Sequence, residues 1–143
     1  MMKARHENRR AASKQRDAEL AALAYQPPPR SECEQFEYSY QPEECPLTIT
    51  VRSWAKDGIM VDFTLSATER AHVGVAGRAV ASADCANHGT IHFHDEIDDP
   101  EHRQREDFMP LRSAEDVVDY HADALEAFII YAQRRYEARR TAR

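Results

Sequence analysis

Most of the large apolar side chains between Leu47 and Phe93 fall on odd-numbered positions. Leu47, Ile49 and Val51 alternate with Thr48, Thr50 and Arg52. Ile59, Val61, Phe63 and Leu65 alternate with Met60, Asp62 and Thr64. Val73, Val75, Ala79, Ala81 and Ala83 oppose Arg78, Ser82 and Asp84, and Ile91 and Phe93 oppose His92 and His94. In the stretch 34–40, Phe36, Tyr38 and Tyr40 alternate in the same way, on even-numbered positions, and share one side of a strand. A period of two is that of strands with one buried face. Directly opposite residues of an antiparallel pair share a face. Strands that all carry apolar odd positions must therefore be joined by turns that set odd against odd.

Parity can be tested at two turns. A three-residue loop at Lys56-Asp57-Gly58 would pair Ala55 with Ile59 and Val51 with Phe63, with Gly58 in the left-handed position of a bulged turn. A five-residue loop keeps parity too, and the place of the glycine favours three. Asn87-His88-Gly89 has the same form. A three-residue loop there sets Asp84 opposite His92 and Ser82 opposite His94, with facing Cβ atoms about 5 Å apart. A five-residue loop would set Ser82 opposite His92 instead.

Helical patterns lie at both ends. Residues 3–24 are rich in Ala, Arg, Lys, Gln and Leu, good helix formers with a thin apolar face. Pro27, Pro28 and Pro29 end that stretch. Residues 95–112 read as an acidic loop. Ser113 looks like an N-cap, followed by Glu115 and Asp116 in the first turn. From there to about Arg140, Val117, Val118, His121, Leu125, Phe128, Ile129, Ala132 and Tyr136 recur at spacings of three and four. The expected fold is α+β: an antiparallel β-meander of four to five strands, a long C-terminal amphipathic helix over 113–140 packed on its odd-numbered face, and a peripheral N-terminal helix. The expected organisation is a basic helix and proline linker over 1–29, then a single domain over 30–143.

Composition narrows the function classes. With 42% hydrophobic and 31% charged residues, the chain of 143 residues suits one globular domain. No run approaches the ~18 apolar residues of a membrane helix, so no membrane partner is expected. The N-terminus is basic but lacks the apolar core of a secretory signal. Three cysteines, Cys33, Cys45 and Cys85, form no C-x-x-C pair, which fits a reducing cytoplasm, though a Cys33–Cys45 bridge stays open. The net charge of −6 is unevenly spread: residues 30–126 hold eight bases against 21 acids, while both ends are basic. Basic ends can touch nucleic acid through phosphates, or simply be solvated helix ends.

Candidate chemistry gathers at Asp84 to His94, D-C-A-N-H-G-T-I-H-F-H. His92 and His94 share the polar face of one strand, and two imidazoles can supply an acid and a base near neutral pH. Asp84 would orient one of them. Arg52 and Arg78 could hold a phosphate and Trp54 could stack a base, giving an RNA-directed site with His92, His94 and Asp84 catalytic. The same residue types suit one divalent metal, Zn or Fe, held by His92, His94, Asp84 and His88. In the bland alternative the histidines are polar residues on an exposed sheet face of a non-enzymatic nucleic-acid- or protein-binding module. His121 falls within the helix stripe and reads as a core-edge histidine. His6, His72 and His102 have no constellation around them.

On the stretch Asp84 to His94, followed by a loop and a long amphipathic helix, the chain resembles the small TumE-like toxins of bacterial toxin–antitoxin modules. It is also similar to small actinobacterial and phage proteins with a comparable Asp/His stretch. The likeness covers roughly residues 47–135 in architecture and eleven residues in motif. It implies a toxin-like protein with Asp84, His88, His92 and His94 as the positions that carry over. Together with the residues above, the expected function is action on RNA, with ribonuclease-like activity left open and a cognate antitoxin or other protein as a partner of the N-terminal helix. The chain departs from the pattern at Cys85, at the single histidine before Gly89 and in its long basic N-terminal stretch.

Overall fold

The computed structural model describes residues 24–70, 77–86, 89–96 and 105–141. The helix expected over 3–24 lies almost wholly outside them, as do Asn87 and His88. Six strands form one antiparallel sheet in sequence order: β1 Glu34–Tyr40, β2 Leu47–Lys56, β3 Ile59–Glu69, β4 Ala79–Ala86, β5 Thr90–Asp95 and β6 Arg105–Pro110. The helix α1, Ala114–Thr141, follows β6, and a 3-10 turn at Arg30–Glu32 precedes β1. The α+β class and the antiparallel meander are as the alternation requires.

The strand count is a correction: the described residues form six strands rather than four to five. The sixth lies in the stretch read as an acidic loop. R-E-D-F-M-P carries no simple alternation because the β5–β6 register shifts at a bulge between Ile91 and His92. The bulge lets Asp107 meet His92 while Phe108 stacks on Phe93, ring centroids 5.3 Å apart. A bulge breaks the period of two, so the pattern hides the strand.

The first turn is also a correction. Lys56 pairs with Ile59 and Ala55 with Met60, so the loop is the two residues Asp57-Gly58, both at positive φ (53° and 80°). Such a turn matches the twist of its strands. Parity is restored afterwards by a bulge between Trp54 and Ala55, beyond which Ser53 faces Phe63 and Val51 faces Leu65. The β4–β5 hairpin keeps the expected pairing: Asp84 faces His92 and Ser82 faces His94.

The odd face is the core. Leu47, Ile49, Val51, Phe63, Leu65, Ala67, Ala81, Ala83, Ile91 and Phe93 are buried against Val117, Ala124, Phe128, Tyr131 and Ala132 of α1. Burying each large side chain contributes about 1.5–3 kcal/mol. The helix lies over β3, β4 and β5. Its start is set by Asp116, whose carboxylate accepts from Arg112 N (2.9 Å) while its own amide donates to Ser113 O. Its far end is held by Asp95, fully buried, whose carboxylate accepts from Arg135 Nε and from Arg139 Nη2. Arg139 Nη1 also donates to Ala79 O at 3.0 Å.

Candidate functional site

The face turned away from the core carries the polar residues, at even positions in β2 to β5 and at odd positions in β1 and at Asp107 of β6. Following the pairings from strand to strand gives one row across the whole sheet: Glu37, Arg52, Thr64, Asp84, His92 and Asp107, one residue from each strand. A second row beside it runs Ser39, Thr50, Ser66, Ser82 and His94. Facing residues stand about 5 Å apart. The rows therefore place Asp84, His92 and His94 together, as the parity of the hairpin requires.

Two histidine–carboxylate pairs result. His92 is only 2% exposed, and its Nδ1–H donates to Asp107 Oδ1 at 2.6 Å. This contact settles the proton on Nδ1 and orients the ring. His94 is partly open, with Nε2 3.7 Å from Asp84 Oδ2, close enough for charge attraction but too long for a hydrogen bond. The two imidazole centroids are 5.9 Å apart, with the rings tilted by 55°. Asp84 thus faces His92 in the ladder but leans to His94, and the carboxylate that holds His92 is Asp107.

Residues expected to bind RNA are dispersed. Arg52 is ion-paired with Glu37 at the outer end of the row. Trp54 is buried, its indole covered by the Arg30 guanidinium at 3.8 Å from the ring centre. Arg78 precedes β4, where its carbonyl accepts from Glu69 N. Trp54 faces Asp62 near the other end of β3, and at ~3.3 Å per residue those ends lie roughly 20 Å apart.

Three contributors escape the sequence pattern. Asp107 sits in the strand hidden by its bulge. Asp62 stands out only as an acid inside an apolar run. It is 4% exposed, it accepts from Arg30 Nε at 3.0 Å, and among the described residues its Oδ1 has no hydrogen-bond partner. Burial pushes its carboxyl above the ordinary carboxylate range, against the pull of Arg30. Arg30, in the stretch after the prolines, closes over both Asp62 and Trp54. That stretch is fastened by Tyr25, whose hydroxyl donates to Val61 O at 2.9 Å and whose amide donates to Leu111 O at 3.2 Å.

Among the described residues, no group of three His, Cys, Asp or Glu side chains is arranged to hold a metal ion, and His88 lies outside them. All three cysteines are free thiols, and burial pushes that of Cys85 up to about 12. Among the described residues no helix is long and apolar enough to cross a membrane. No family model, curated protein or solved structure matches the chain.

Proposed function

We propose that the chain is a small toxin-like protein that cleaves RNA by acid–base catalysis on the polar face of the sheet. The observation that carries the reading is the pair of imidazoles 5.9 Å apart, each with its own carboxylate. RNA as substrate rests on the toxin-like reading of the Asp84–His94 stretch, and the two histidine–carboxylate pairs support proton transfer there. His94, the accessible ring, takes the proton of a ribose 2′-hydroxyl. That oxygen attacks the neighbouring phosphorus, the 5′-oxygen departs, and His92 supplies its proton. Asp84 and Asp107 hold the two rings. A cyclic 2′,3′-phosphate end is the expected product.

The test is incubation of purified protein with RNA and analysis of the new ends, with and without chelator. His94→Ala should lower the rate about 100-fold or more, the usual worth of a positioned acid or base. Unchanged cleavage in a His92→Ala, His94→Ala double variant would sink the reading. Activity lost to chelator and restored by Zn or Fe would favour the metal reading of Asp84, His88, His92 and His94.

The burial of His92 and the capture of Arg52 by Glu37 favour a second reading, a non-enzymatic binding module for nucleic acid or protein. It predicts RNA retention without new ends, or no RNA binding with capture of a protein partner.

A further inference from the structure

The two edges of the sheet differ in how they are finished. The β6 edge carries a bulge, the charges of Glu106 and Asp107, and a terminal proline, Pro110. These are the devices that keep edge strands from pairing. The β1 edge has neither bulge nor proline, and its Glu37 charge is matched by Arg52. Its seven residues pair with β2 in an unbroken register and include no lysine and no proline, and among the described residues β2 is its one neighbour. Phe36 and Tyr38 are about half exposed. Tyr38 faces Val51 and Tyr40 faces Ile49, so these rings belong to the apolar side of the sheet. α1 lies over β3 to β5 and leaves that rim open.

We propose that β1 is the pairing edge for a second copy of this chain, joining two sheets into one continuous antiparallel sheet across a two-fold axis. The occupant follows from self-complementarity. The aromatics at 36, 38 and 40 are symmetric about Tyr38. An axis through Tyr38 sets Tyr38 against Tyr38 and Phe36 against Tyr40 of the second copy, the kind of cross-strand pairs that stabilise a ladder. On the other face it sets Glu37 against Ser39 of the second copy. The Glu37 charge is already matched in its own copy by Arg52. An axis through Glu37 would instead oppose two carboxylates, which destabilises a ladder. Charge therefore selects the register centred on Tyr38.

The experiment is the mass of the full chain by sedimentation across a wide concentration range, under reducing conditions. The expected result is a doubling of mass as concentration rises. Tyr38→Lys should lose the dimer while the far-ultraviolet circular dichroism stays that of the parent chain. A second measurement keeps the native strand pairing: in a Cys33→Ser background, Tyr38→Cys should form an intermolecular disulfide on oxidation and Glu37→Cys should not. A monomer at every concentration overturns the proposal and returns the strand to a partner of another kind. A dimer that survives Tyr38→Lys, or cross-linking through Glu37→Cys in place of Tyr38→Cys, overturns it as well.

Discussion

Asp107 Oδ1 lies 2.6 Å from His92 Nδ1, across the bulge that interrupts the β5–β6 ladder. A regular ladder would carry the alternation onward, and it is the bulge that seats this carboxylate on the ring. Asp107 is more than half exposed while His92 is buried, so the pair joins solvent to the inner layer of the polar face.

Asp107 is therefore the positioning residue to remove first. Asp107→Asn keeps the size of the side chain and removes the charge behind His92. Under the acid–base reading, RNA cleavage should fall about 10–100-fold, as when an orienting carboxylate is lost behind a functional imidazole. The change should be in the turnover rate and its pH profile, with substrate affinity little altered. A fall in affinity alone would assign Asp107 to binding.

Asp95 should dominate the anchoring of α1. Its carboxylate is fully buried and accepts from two arginines of the last helical turns. Asp95→Ala would leave both guanidinium groups without their shared counter-charge. A loss of about 3 kcal/mol is expected, at the low end for breaking a buried pair because the arginines retain some solvent. Urea unfolding followed by circular dichroism measures it. A loss well under 1 kcal/mol would show that the helix is held by its apolar stripe alone.

His121 supplies a pH dependence with a definite sign. Its ring stands edge-on to Phe63 at 4.9 Å, its Nε2 has no hydrogen-bond partner among the described residues, and burial holds its pKa below the ordinary 6.5. The unfolded chain takes up the proton more readily than the folded one. Stability from this residue is complete above pH 6.5 and is lost as pH falls toward the lowered folded value. His121→Leu should flatten that part of the stability–pH curve. It should also stabilise the fold by about 1 kcal/mol at neutral pH, by removing an unsatisfied buried nitrogen. Parallel denaturation curves from neutral to mildly acid pH test both.

Gly89 closes the β4–β5 hairpin at φ +68°, and a methyl placed there would lie 2.4 Å from Ala24 Cβ. Gly89→Ala should cost at least ~1–2 kcal/mol from the left-handed backbone alone. The clash should also loosen the Ala24–Tyr25 contact, seen as faster proteolysis near the prolines. Equal proteolysis in parent and variant would show that the segment is held from elsewhere.

Much of this architecture is legible in the order of the residues. The odd-numbered apolar pattern specifies an antiparallel meander, and the parity of the 84–94 hairpin places Asp84 opposite His92 and Ser82 opposite His94. What escapes the pattern is every departure from period two. The Asp57-Gly58 turn reaches the right faces only through a bulge at Trp54/Ala55, and β6 is masked by its own bulge, taking Asp107 with it. A periodic signal cannot announce its interruptions. Arg30 and Tyr25 escape for another reason. Their partners Asp62 and Val61 are more than 30 residues away, and nothing local marks such contacts.

The row Glu37, Arg52, Thr64, Asp84, His92 and Asp107 draws one side chain from every strand. Such a row is indivisible. A slip of one residue in any hairpin turns the following strand over and empties its place in the line. The row thus works as a checksum on the whole meander: it reads true only when all five pairings do, and where a turn sets the wrong parity, as at Asp57-Gly58, a bulge must restore it.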